Sequence, residues 1–157
     1  MSKDEGRRTK DQGPTRDDRA EALVAASEAD TAAAGRALAA RTASGTTILL
    51  YGDLGAGKTA FVRGLAEGFG IDPAEVSSPT FTIVQEYRGP QVTLQHVDLY
   101  RLTPREITDL ALEDLMTPTT VMAIEWADRL PEAPERPVIE VRLEHVEGGR
   151  RILLSPS

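Results

Sequence analysis

The sequence has no cysteine, no asparagine, one tryptophan and two histidines, His96 and His145, in 157 residues. Without thiols there can be no disulfide, thiolate metal site or cysteine nucleophile, and two histidines do not make a histidine-rich metal centre. No apolar run approaches the ~20 residues of a membrane span, and the N-terminus lacks the apolar core of a signal peptide. The expectation is a cytoplasmic chain with no membrane association. Basic residues are also short: 18 Lys and Arg stand against 25 Asp and Glu, a net charge of −7. Such a balance argues against a broad basic surface gripping a nucleic-acid backbone, so any nucleic acid would be met through a partner.

What is present is a phosphate-binding signature. Residues 52 to 59 read Gly-Asp-Leu-Gly-Ala-Gly-Lys-Thr, a full match to GxxxxGK[ST]. The run from Thr46 to Tyr51 before it is short, apolar and β-branched. Phe61, Leu65 and Phe69 after it recur every four residues, so the loop joins a strand to a helix. In that setting the glycines let backbone N–H groups turn inward onto phosphate oxygens, and the start of the helix adds its positive field. Lys58 can reach the β- and γ-phosphates, and the Thr59 hydroxyl can ligate Mg²⁺. Asp53, Leu54, Gly55, Ala56, Gly57, Lys58, Thr59 and Ala60 are therefore the candidate nucleotide-binding set. Guanine-reading GTPases use an Asn-Lys-x-Asp segment, which a chain without asparagine cannot contain. Adenine is favoured.

Along the chain, residues 1–20 mix both charge signs with almost no apolar residue and are expected to form a disordered charged tail, leaving 21–157 as a single domain. Ala22 to Ala26 can supply a peripheral strand. Ser27 stands at an N-cap position with Asp30 three residues on, opening an Ala-rich helix to about Arg41. Beyond the loop helix, Phe81 to Tyr87 and Gln91 to Val97 read as a hairpin through Arg88-Gly89-Pro90. Pro104 opens a helix expected to run through Leu115, Val121 to Glu125 is an apolar strand ending in an acid, and 130–137 is a Pro-rich connector. Val138 to Leu143 and Arg150 to Leu154 close the chain as two strands around Gly148-Gly149. The expected fold is a three-layer α/β P-loop domain with a mixed parallel and antiparallel sheet.

A phosphate-bound Mg²⁺ asks for oxygen ligands and a carboxylate that holds or orients its waters. Glu125 and Asp98, each ending an apolar strand, are the candidates, against the alternative of solvated strand-end acids. The reading places Glu125 on the metal and Asp98 near the attacking water, which makes Lys58 and Asp98 the candidate catalytic residues. Ser77 to Thr82 lies where P-loop proteins sense the γ-phosphate, with Thr80 best placed to touch it, unless the segment is an ordinary Ser-Pro turn. Arg150 is either a surface arginine or a phosphate contact from a neighbouring strand. Trp126 is either packing or a contact to nucleotide or partner, and His96 can be read as a base but is better read as a hydrogen-bonded side chain packed beside Asp98.

Four blocks, Gly52 to Thr59, Ser78-Pro-Thr-Phe-Thr82, His96-Val-Asp-Leu-Tyr-Arg-Leu102 and Ile124-Glu-Trp126, stand in the order and at the distances of the TsaE (YjeE) family, which the chain resembles over about residues 22 to 154. The resemblance implies a bacterial ATPase of the machinery that installs threonylcarbamoyl on adenosine beside the anticodon of tRNA. It implies ATP on the P-loop, Mg²⁺ held at Thr59 and Glu125, roles for Asp98 and for Ser78 to Thr80, and Glu28 and Thr31 near the adenine side, although the residues alone read equally well as a solvated helix start. It also implies partners: a TsaB–TsaD heterodimer of the sugar-kinase/Hsp70-like fold, in which TsaD carries out the transfer and the ATP cycle resets the pair. Two positions depart from the family's usual pattern. Ala60 replaces a second Thr or Ser, and Val97 stands where Phe is more usual. Two other functions fit the P-loop: a small-molecule kinase, which needs an acceptor pocket and an arginine-bearing lid, and a nucleotide-gated adaptor in which turnover is incidental.

Overall fold

The computed structural model describes residues 20–52, 57–77 and 82–156. Two strands at the centre of the sheet set the architecture. β2 (Thr47–Tyr51) and β5 (Thr120–Glu125) are buried along almost their whole length. A strand buried on both faces must be apolar at successive positions, as Ile48-Leu49-Leu50 and Val121-Met122-Ala123-Ile124 are, and it needs helices on both sides. The remaining strands are β1 (Glu21–Ala25), β3 (Val84–Arg88), β4 (Thr93–Asp98), β6 (Val138–Val146) and β7 (Gly149–Pro156). They complete a seven-stranded sheet of order β1-β7-β6-β2-β5-β4-β3. The β6–β2, β2–β5 and β5–β4 pairs are parallel, and the β1–β7, β7–β6 and β4–β3 pairs are antiparallel. This is the mixed sheet expected from the sequence.

On one face lie α1 (Glu28–Ala39) and α2 (Lys58–Gly68). Ser27 caps α1 by accepting from the Asp30 N–H at 3.1 Å. Phe61, Val62, Leu65 and Ala66 of α2 pack with Leu38 of α1 on Ile48, Leu50, Leu94, Val121 and Val141 of the sheet. The helix backbones nearly touch. A Cβ on Gly64 would stand 1.8 Å from the Ala32 carbonyl oxygen, so only glycine fits there. The opposite face carries α3 (Pro104–Leu110) and a 3₁₀ turn at Leu112–Leu115, which cover Leu49, Val97, Met122 and Ile124. Three layers result.

Several elements differ in extent from expectation. The helix opened by Pro104 stops at Leu110, because Ala111 is left-handed (φ 50°), and continues only as the 3₁₀ turn. The strand expected from Phe81 begins at Val84, since Ile83 (φ 68°) turns the chain with the Val84 N–H on the Thr82 carbonyl at 2.7 Å. α1 ends at Ala39 rather than at Arg41. β6 and β7 are longer than their apolar cores, since the hairpin ladder continues to Val146 opposite Gly149. Residues 1–19, which make up most of the expected tail, lie outside the described residues.

Candidate functional site

Parallel pairing in register brings the site together. β2, β5 and β4 are neighbours, and Leu50 lies opposite Glu125, which lies opposite Asp98. The two acids therefore end adjacent strands at the carboxyl edge of the sheet, beside the strand from which the loop departs. This is the edge where open α/β sheets bind ligands. Side chains two apart on a strand share a face, so His96 and Asp98 point the same way as Leu94, toward α1 and α2. Asp98 and Glu125 are each 4% exposed. The Asp98 carboxylate accepts the Tyr100 N–H at 2.8 Å.

His96 is completely buried, and its Nε2 lies 2.6 Å from Glu125 Oε2. The expectation that it packs beside Asp98 is met in placement, but its hydrogen bond goes to the other acid. Nothing in a sequence gives the register between β4 and β5, and without it this partner cannot be read. The only available signal was the two-residue spacing from Asp98.

Gly57 caps α2 in the left-handed conformation (φ 98°) with no side-chain hydrogen bond. The first turn, Lys58, Thr59 and Ala60, thus starts with N–H groups that no preceding helical carbonyl can satisfy. Ala60 is buried and Thr59 half-buried. Lys58 is 5% exposed. Its ammonium donates to the Gly52 carbonyl at 2.6 Å and lies 4.2 Å from the centre of the Trp126 ring. Trp126 follows Glu125 in a left-handed conformation (φ 60°) and stacks on Tyr100 at 4.8 Å, a residue that sequence reasoning had not singled out.

A Cβ built on Gly57 would lie 3.5 Å from Thr31 Cγ2, 3.7 Å from Arg150 Nε and 3.7 Å from Leu143 Cδ2. Thr31, in the first turn of α1, and Arg150, at the start of β7, therefore flank the loop's last glycine. Arg150 is not a remote surface residue. Thr31 is buried, with its hydroxyl donating to the Ser27 carbonyl at 3.2 Å, and Glu28 is exposed at the start of the same helix. Asp53, Leu54, Gly55, Ala56 and Thr80 lie outside the described residues.

A cavity of about 480 Å³ opens beside Gly52, lined by Tyr51, Trp126, Asp128, Arg142 and Glu144 among others. Tyr51 faces the α3 side of the sheet with Leu49, stacked under the Arg142 guanidinium at 4.3 Å. Burial, reinforced by Glu140 and Asp128, pushes its hydroxyl pKa up. Among the described residues no group of three or more His, Asp and Glu is placed to hold a metal ion by itself. The donors that are present, two buried carboxylates, suit a hard cation shared with phosphate oxygens.

A left-handed glycine opening a helix, a buried lysine in its first turn and acids on the adjoining strands define a P-loop nucleotide-binding protein. The model of a protein family described as "Threonylcarbamoyl adenosine biosynthesis protein TsaE" matches residues 25–152, and the chain belongs to this TsaE family. A Synechocystis protein named tRNA threonylcarbamoyladenosine biosynthesis protein TsaE is 48% identical over 106 residues, 65% of this chain and 67% of its own. The protein of the same name from Treponema pallidum is 39% identical over 134 residues, 84% of this chain and 98% of its own. The crystal structure of Bacillus subtilis YdiB superposes with a TM-score of 0.68 at 28% identity, covering 88% of this chain and 86% of that one. The chain's role thus lies in tRNA threonylcarbamoyladenosine biosynthesis. No helix among the described residues is long and apolar enough to cross a membrane.

Proposed function

We propose that the protein is a weak Mg²⁺-dependent ATPase whose cycle resets a TsaB–TsaD heterodimer between rounds of tRNA modification. It meets tRNA only through that pair, in the cytoplasm, with 21–157 as one ATPase domain behind a charged tail. The observation that carries the reading is the in-register placement of Asp98 and Glu125 beside the strand leading to Lys58.

In this reading the backbone of residues 53 to 60 cradles the phosphates, and Lys58 leaves the Gly52 carbonyl for the β- and γ-phosphate oxygens. Arg150, from the far side of Gly57, adds positive charge. Thr31 and Glu28 face the nucleoside end, and Thr80 senses the γ-phosphate. Thr59 and Glu125 would hold the magnesium, which when bound neutralises charge on the β- and γ-phosphates. Asp98, held by the Tyr100 N–H, orients the attacking water. The adaptor alternative predicts that Asp98→Ala keeps function in tRNA modification. An ATP-driven reset predicts loss.

The cavity beside Gly52 gives the kinase alternative a site to be tested. ATP hydrolysis by the full chain, alone and with TsaB–TsaD, separates these readings. The expected result is stimulation by the pair, with about 10²-fold or greater loss in Lys58→Ala and Glu125→Ala, the scale of removing one preorganised charge-stabilising group. No stimulation, or phosphate transferred to an added metabolite instead of to water, overturns the proposal.

A further inference from the structure

We infer that His96 is a positioning residue for the metal-holding carboxylate: its Nε2–H hydrogen bond fixes the rotamer of Glu125. The inference rests on the reading of Glu125 as the acid that holds magnesium. Four observations carry it. His96 is 0% exposed, and the Nε2–Oε2 distance of 2.6 Å is that of a short, charge-assisted bond. The bond runs diagonally between strands, since His96 lies opposite Ala123 while Glu125 lies opposite Asp98, so it ties the ends of β4 and β5 at the site itself. Among the described residues the buried Nδ1 has no hydrogen-bond partner. Leu94, on the same face of the strand, is fully buried and apolar, as the core beneath α1 and α2 requires.

A buried polar ring with an unsatisfied nitrogen is a cost that leucine would avoid. The carboxylate it holds offsets that cost. With the carboxylate as acceptor, it is Nε2 that carries the hydrogen of this bond. The tilted Tyr87 ring, 6.3 Å away centre to centre, lies on the same side of the sheet. Carboxylates that ligate metals are commonly held by such hydrogen bonds, and losing the holder costs about 10- to 100-fold in metal affinity.

Two experiments on the full chain test this. With only two histidines to assign, imidazole ¹⁵N NMR of the unmodified protein should show His96 as the Nε2–H tautomer. An Nδ1–H tautomer overturns the inference. Mn²⁺ binding in the presence of a non-hydrolysable ATP analogue, followed by electron paramagnetic resonance, should weaken about 10- to 100-fold in His96→Leu. It should recover in His96→Gln, whose amide nitrogen reaches as far as Nε2. Analogue binding without metal, measured by calorimetry, should be unchanged in both. If Glu125→Gln weakens Mn²⁺ binding and His96→Leu does not, the positioning role is wrong and the reading of Glu125 stands. If Glu125→Gln leaves Mn²⁺ binding intact, that reading falls and takes the inference with it.

Discussion

Lys58 is a buried ammonium, and burying a cation is costly unless its environment compensates. Here a backbone carbonyl at 2.6 Å and the face of Trp126 at 4.2 Å do so. Both are local to the loop, and phosphate oxygens would replace them with stronger, charge-assisted bonds. Trp126 is the only tryptophan, so its emission reports the exchange directly. Saturating ADP is expected to change the fluorescence of the unmodified chain as the ammonium leaves the ring. Lys58→Ala should start from a different baseline and stay flat. An unmodified chain whose emission does not move, although equilibrium dialysis shows ADP bound, would mean that the amine stays on the ring. At this scale the sequence was legible wherever chemistry is spelled by neighbours. Ser27 and Asp30 made the cap, and Gly57, Lys58 and Thr59 opened the helix after the loop. It was not legible at Ile83, where a β-branched residue adopts φ 68° at a cost of about 1–3 kcal/mol. No local preference predicts that, because it is the surrounding structure that imposes it. Part of that constraint is visible: the Ile83 carbonyl accepts the Asp98 N–H at 2.8 Å.

At the scale of elements, the packing of α1 on α2 holds the loop's helix in place. Gly35 of α1 faces the backbone of Phe61 and Leu65, while Gly64 and Gly68 of α2 face Ala32 and Ala39, so small residues stand where the two backbones approach closely. Gly64→Ala would ordinarily favour a helix by about 1 kcal/mol. Here the added methyl meets backbone, the Ala32 carbonyl oxygen at 1.8 Å, and backbone cannot rotate away. The helices must separate, so the net expectation is destabilisation by about 1–3 kcal/mol, read as a lower urea midpoint at unchanged slope. Glu67→Ala on the same helix removes only the exposed contact to Arg36 and should cost under about 1 kcal/mol. An equal shift in both variants would refute the close-contact account. The Ser27 cap located α1 and periodicity located α2, but periodicity could not reveal their separation. It also extended α3 too far. Thr103, Pro104 and Glu106 form the expected kind of start, with a capping box, yet Ala111 turns left-handed although alanine is the best helix former. Packing of Leu112 and Leu115 on the sheet face overrides that preference.

For the whole molecule, what the sequence withheld was order. Each strand was visible as an apolar run, but the pairing of β2 between β5 and β6, which creates the site, is a long-range choice without local signature. The same order exposes two edges, β1 and β3, to water, and each carries a carboxylate held by arginine. Glu21 of β1 receives two bonds from Arg41 beyond the end of α1, at 2.6 and 3.2 Å, and this hydrogen-bonded guanidinium lowers its pKa. On β3, Glu86 is lowered by Arg88 and then by Gln95. A carboxyl whose folded pKa lies below its unfolded one stabilises the fold at neutral pH. That contribution disappears as pH falls through the lowered folded value, below the ordinary glutamate range. Both groups are well exposed, so solvent and salt screen them, and each pair is worth only about 0.2–1 kcal/mol. An effect that small will not unfold the sheet, but it should loosen the edges before the centre. Amide exchange, corrected at each pH for the intrinsic rate, is expected to show protection in β1 and β3 falling by about 1.5- to 5-fold between neutral pH and pH 3.5, the range those energies imply. Over the same interval β2 and β5 should hold, and 0.5 M salt should flatten the difference. Glu21→Gln should remove the pH dependence from β1 and leave that of β3 intact. Equal acid sensitivity in edge and central strands, or a β1 response that survives Glu21→Gln, would place the acid-labile charge elsewhere in the molecule.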